Sequence, residues 1–178
     1  NPRAFIAKYD TDGNFINAIN FGDGEDKFKY SEFDNQGNIY LTRYKDSYSK
    51  VDKFNAVLQL SWTKVLSSSN TSSEGIYTPG GIYFNNENNK LYIWGIMNLT
   101  TTILGNSFFI SNLNSVFQSA LIELNSSTGN LVNINRFDNN NDYYSLYFLL
   151  NLSPLRIAHF SQKDGFLYVH TSFTNTMN

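Results

Sequence analysis

The sequence predicts an all-β fold built from repeated antiparallel hairpins, and three observations carry that prediction. One segment occurs three times, as AFIAKYDTDGNFI at residues 4–16, SKVDKFNAVLQL at 49–60 and SALIELNSSTGNLV at 119–132. Each copy is a short apolar run, a turn and a second apolar run. A second segment alternates with the first, as NQGNIYLTRY at 35–44, NNKLYIWG at 88–95 and KDGFLYVH at 163–170. Such self-similarity sets the architecture before any other argument. Aromatic residues make up 16% of the chain, mostly Tyr and Phe, and these side chains suit a pleated surface. Asn is in excess as well. It tolerates left-handed turn conformations and so suits many tight turns, although a nucleotide bias in the gene produces the same excess.

Taken in order, residues 5–9 and 15–21 read as strands around the turn at 10–14. Residues 27–33 and 38–44 flank the turn at 34–37. Residues 50–54 and 57–66 follow. Residues 81–84 and 90–97 flank the Asn-rich turn at 85–89, and 120–124 and 130–137 flank 125–129. Residues 156–160 and 166–172 flank 162–165. Asp-Gly, Gly-Asn and Asn-rich pairs between apolar runs are hairpin signals. No stretch has a convincing helical period. The best candidate, 143–151, reads equally well as a buried strand.

The spacing adds an architecture. Ile39 and Leu91 occupy equivalent places about 50 residues apart, the length of one four-stranded propeller blade. Both faces of a blade are covered, which calls for near-continuous apolar strands such as LYIWGIM at 91–97 and FLYVH at 166–170. The expected fold is therefore a β-propeller-type repeat of four-stranded antiparallel blades, with about three blades' worth of strands. The whole of 1–178 reads as a single domain. Residues 98–117 are an insertion, forming either an extra hairpin around Ser107 or a long loop. Propellers close with four to eight blades, and open arrays need capping. A longer native polypeptide, or closure against another chain, is the expectation; a small β-sandwich or irregular array is the alternative.

Charge and composition limit function. The net charge is −2 with a pI near 5.6, and no basic stripe marks a nucleic-acid partner. No apolar run approaches the length of a membrane-spanning helix. The absence of Cys removes disulfides, thiolate metal sites and Cys nucleophiles.

Residues 4–15 and FDNQGNIYLT at 33–42 resemble the repeats of a bacterial β-propeller family of secreted and surface proteins, the SBBP-like repeats. TILGNSFFISN at 102–112 resembles the lead-in that such repeats carry. The match is good in the first unit and degenerate in the next two. Asn55-Ala56 stands where a Gly turn belongs, and Asn17 stands where the family has Trp. The resemblance implies a propeller and an extracellular or cell-surface location, and no catalytic site.

Candidate chemistry is sparse. Residues 10–14 resemble the start of a calcium loop, but Phe21 stands where the twelfth-position carboxylate belongs, and a hairpin turn is the favoured reading. Residues 22–26 cluster three acids and read as a solvated connection. His159 and His170, the only histidines, fall in the last hairpin and read as core or groove residues without chemistry. Tyr44, Tyr48, Tyr77, Tyr143 and Tyr144 lie near strand ends, where they either stack on sugars or pack between blades. No nucleophile elbow or phosphate loop occurs. No metal or cofactor is expected. The expected role is a non-catalytic scaffold or adhesion module on a cell surface, binding protein or glycan through blade-end loops, with 98–117 the first candidate. A self-assembling filament or fibre subunit is the alternative, and a polysaccharide-active enzyme, with carboxylates from separate loops, the third.

Overall fold

In the computed structural model the described residues are 4–21, 26–45, 47–69, 74–98, 100–108, 117–137, 158–163 and 166–171. Among them every element is a strand. β1 (Ala4–Tyr9) and β2 (Phe15–Phe21) form a hairpin. β3 (Lys27–Phe33), β4 (Ile39–Lys45), β5 (Tyr48–Phe54) and β6 (Leu60–Ser68) form a four-stranded antiparallel meander. A two-residue strand, β7 (Glu74–Gly75), leads to β8 (Thr78–Asn85) and β9 (Lys90–Asn98). β10 (Thr100–Ile103) and β11 (Asn106–Phe108) intervene before β12 (Phe117–Asn125) and β13 (Leu131–Phe137). β8, β9, β12 and β13 make the second four-stranded antiparallel sheet, in the order β13-β12-β9-β8. β14 (Ala158–Lys163) and β15 (Phe166–Thr171) form a last hairpin. The stretch 143–151 lies outside the described residues.

The turns explain the Asn and Gly content. In the turn at 10–14 the Asp10 carboxylate Oδ1 accepts the backbone N–H groups of Asp12 and Asn14 at 2.9 and 2.7 Å. Gly13 takes a positive φ of 85°. The turn at 34–38 repeats this with Asp34, Gln36, Asn38 and Gly37. In the turn at 55–59 Asn55 Oδ1 accepts from Val57 and Gln59, and Leu58 adopts the left-handed conformation, φ 64°. This is the place where the sequence departs from the repeat. An L-residue there costs strain, and Leu58 is held by burial in the core beneath it. The longer loops at 86–89 and 126–129 place Asn89 and Gly129 at positive φ. All five turns sit at one end of the sheets by strand direction, and the connections between hairpins lie at the other.

The layers are held by two cores. One lies between the β3–β6 meander and the second sheet and includes Tyr40, Val51 and Leu66 against Ile82, Phe84, Leu91, Ile93 and Ile122. Tyr40 stacks on Phe84 with ring centroids 5.4 Å apart and planes 9° from parallel. The other core joins the first hairpin to the opposite face of the first sheet, with Ile39, Leu41, Phe54 and Leu58 under Ile6, Ile19 and Phe21. β4 and β5 are thus covered on both faces and are mostly buried rather than alternating.

β10 and β11, within the stretch 98–117, lie against the first sheet. β10 pairs with β6 through Ile103 and Ser67, and with β11 and β7 it extends the first sheet to seven strands. Ile103 and Thr101 are fully buried, and the Leu104 N–H donates to the Leu66 carbonyl at 2.8 Å. The hairpin turn falls at Leu104 and Gly105. Residues 109–116 lie outside the described residues.

Gly95 shows how tight the second sheet is. A Cβ there would stand 2.5 Å from the Thr78 carbonyl oxygen and 2.6 Å from the Tyr77 ring. Tyr77 is itself fully buried and donates its hydroxyl to the Ile93 and Ala120 carbonyls at 2.8 and 3.2 Å. Gly95→Ala is expected to destabilise the fold by about 2–3 kcal/mol, the range for overpacking against atoms that cannot yield. Urea unfolding of the variant checks this; a loss under about 0.5 kcal/mol, within the range of inert surface changes, contradicts it.

Asp34 gives a pH signature. Burial raises its pKa, but the hydrogen bonds from Asn38, Tyr40 and Gln36 together outweigh burial and hold it below the usual carboxylate value. A lowered folded pKa adds stability that is present above the unfolded value and lost as pH falls through the folded one. Asp34→Asn keeps the turn, as Asn55 does. Its stability deficit relative to the parent chain is therefore expected to shrink below about pH 4. Paired urea titrations at neutral and acid pH measure it, and a deficit that grows in acid refutes it.

Candidate functional site

The face of the first sheet that meets hairpin β1–β2 carries a cleft of about 310 Å³, lined by Ile19, Asn20, Phe21, Phe54, Leu58 and Leu60, with Arg43 and Asp52. Its apolar walls follow from strand periodicity. Ile39, Leu41 and Arg43 alternate on β4, and Phe54, Asp52 and Lys50 lie opposite them on β5. The alternation continues from apolar to charged side chains toward one end of the sheet, so the cleft ends in a cluster of buried charge.

Arg43 organises that cluster. Its Nε donates to Asp52 Oδ2 at 2.6 Å, and its Nη1 is paired with Asp26. The Asp26 and Asp52 side chains are 1% and 2% exposed. Thr63 donates its hydroxyl to Asp52 at 2.6 Å, and Tyr48 donates to Asp26. Burial works against the Arg43 charge. The hydrogen bonds and charges of Asp52 and Asp26 more than offset it, leaving the guanidinium above its ordinary pKa. Asp26 comes from the acidic stretch at 22–26, whose reading as a solvated connection does not hold for this residue. Residues 22–25 lie outside the described residues.

The tyrosines expected near strand ends divide three ways. Tyr48 lies on the cleft face, with the Lys50 ammonium 4.0 Å from its ring centroid. Tyr44 lies on the other face of the sheet, under Lys27 and Lys29 at 5.5 and 4.9 Å. Burial, and then the Lys27 charge, lowers the Lys29 pKa. Lys29 is the extra residue of a bulge between Phe28 and Tyr30, a device that re-aims side chains. Tyr77 packs in the core. Tyr143 and Tyr144 lie outside the described residues.

The remaining candidates resolve as structure. Both oxygens of Asp10 are engaged within its turn, Oδ2 by the Asn14 side-chain amide at 2.9 Å. Asn55 builds the same turn without a carboxylate. Among the described residues no three of His, Asp and Glu are grouped to hold a metal ion, and no helix is long and apolar enough to cross a membrane.

A guanidinium shared by two buried carboxylates is a fixed charge cluster, and its acids already accept donors. Sequence reading missed it because its members are separated along the chain. The available signal was a charged residue inside each of two central strands, Arg43 in IYLTRYK and Asp52 in YSKVDKF. No protein-family model matches the chain, and no curated protein matches it.

Removing the cation tests the cluster. Arg43→Met leaves two buried carboxylates without a counter-charge and is expected to cost about 3–5 kcal/mol at neutral pH. Arg43→Lys, which keeps the positive charge but not the guanidinium fork, is expected to recover part of that loss. Urea denaturation of both variants provides the comparison; a lysine variant no more stable than the methionine one argues against charge as the cause.

Proposed function

We propose that this chain is a non-catalytic binding module, a scaffold or adhesion domain acting outside the cell or on its surface, with protein or glycan as its partner. The observation that carries the reading is the apolar cleft ending in a neutralised charge cluster. It offers a surface for contact and no unengaged acid–base pair. Leu60 on its rim is 57% exposed, and Val65, further along the same strand, is 46% exposed. Apolar side chains around a pocket are the common lining of binding sites.

We read the architecture as propeller-type. Two successive four-stranded antiparallel meanders, packed face to face, have the form of two blades. The first strands β3 and β8 lie beside each other, and β14 lies beside β8, which fits inner strands arranged around an axis. The hairpins β1–β2 and β14–β15 correspond to the outer and inner halves of further blades. The connections at the end opposite the tight turns are the blade-end loops of this reading.

A second reading, a subunit of a surface filament, is favoured by a specific feature. Phe5, Phe15 and Ile16 on the first hairpin are 68%, 62% and 52% exposed, and its strand β1 has an edge suited to pairing.

The test is a glycan array and a panel of surface proteins probed with the parent chain and with Leu60→Lys. Because Leu60 is already exposed, the variant is expected to fold and to lose binding at least tenfold, about 1.4 kcal/mol. Turnover of any polysaccharide, or binding indifferent to the substitution, overturns the proposal. Concentration-dependent assembly in sedimentation velocity moves the filament reading to first place.

A further inference from the structure

The first sheet carries a second group of charges, on the face of β4 opposite the cleft. Tyr44 is its floor. Lys27 is the cross-strand partner of Tyr44. The Lys27 and Lys29 ammonium groups lie 5.5 and 4.9 Å from the centre of the Tyr44 ring. Two like charges thus converge on one half-buried tyrosine.

A β-bulge builds this arrangement. Lys29 stands between the Phe28–Arg43 and Tyr30–Thr42 pairs and has no cross-strand partner of its own. The extra residue of a bulge aims its side chain where plain alternation would not. Lys27 is exposed, whereas Lys29 is half-buried. Burial disfavours the Lys29 ammonium, and the Lys27 charge disfavours it further. Arg43 meets the same cost of burial with two carboxylates. Lys29 makes no ion pair with a described carboxylate. The tyrosine ring attracts a cation but carries no countercharge.

We propose that Lys27 and Lys29, held over Tyr44, form a binding site for one sulfate group, taken either as the free ion or as part of a sulfated sugar. An oxyanion between the two ammonium groups accepts charge-assisted hydrogen bonds from both and offsets their repulsion. A lysine ammonium is a compact point charge with three donors, which suits a tetrahedral anion. The site shares no residue with the cleft and does not depend on the reading of the cleft. It also uses neither His159 nor His170, whose side chains lie outside the described residues.

The test follows the backbone amide signals of the full 178-residue chain during titration with sodium sulfate, and with sodium chloride at equal ionic strength. The Lys27, Lys29 and Tyr44 signals are expected to shift saturably with sulfate and not with chloride. Equal shifts with both salts, or shifts confined to other residues, overturn the site. A sulfated disaccharide added in place of the salt separates the two sources. Saturation at a lower concentration supports a sulfated sugar as the ligand, and saturation at the same concentration supports the free ion. Lys29→Met keeps the apolar stem and removes a charge that burial disfavours, so it is expected to fold. Its sulfate affinity should fall at least about tenfold, the scale of one lost charge-assisted contact. Undiminished sulfate binding in this variant refutes the proposal, and the spectra of the parent chain decide the matter even if the variant fails to fold.

Discussion

The contact on which the rest of the structure depends is the burial of β4 and β5, at the centre of the first sheet, on both faces. Tyr40 defines one side of it. Its ring stacks on Phe84 of the second sheet, its hydroxyl bonds Asp34 in the adjacent turn at 3.0 Å, and the Lys53 ammonium lies 5.1 Å from its centroid. One side chain thus ties strand, turn and neighbouring layer together. On the other side Ile39, Leu41 and Phe54 meet the first hairpin. A sheet buried on both faces loses the polar alternation of a half-exposed one. That loss places Arg43 and Asp52 in a dry environment, where each needs a partner.

The turn ends of the sheets are locked to each other as well. The Ser126 carbonyl accepts both the Lys53 ammonium and the Trp62 indole N–H at 3.2 Å, and Lys64 reaches Asn130 at the same distance. Gly129 fits closely there: a Cβ on it would stand 2.8 Å from Lys64 and 3.1 Å from Trp62. The opposite end carries the connections between hairpins, Arg43 and its carboxylates, and the half-buried tyrosines.

Much of this was legible in the sequence because the controlling interactions are local. The strands Phe15–Phe21 and Lys27–Phe33 coincide with their predicted limits. Asp or Asn at the first turn position and Gly at the fourth announce where the chain reverses. The departures are non-local. β6 starts at Leu60 rather than at 57, since the turn runs through Leu58, a left-handed position without its usual Gly. β7 was unreadable because a two-residue strand gains its order from β10, not from its own pattern, whereas β10 and β11 form a hairpin that includes Ser107, one of the two forms expected for this stretch. The ion cluster joins residues 9 and 17 positions apart. Neither strand alone indicates that its charge is buried, and that follows only once layers cover both faces.

Amide hydrogen exchange of the native chain, followed residue by residue, tests the central claim of a doubly covered sheet most directly. The account predicts that the slowest amides lie in β4 and β5 of the first sheet and in β9 and β12 of the second, with β2 and β13 exchanging much faster. If β4 and β5 exchange as readily as the outer hairpin β1–β2, the first sheet is not enclosed, and the buried setting of the Arg43 cluster and its cleft is wrong.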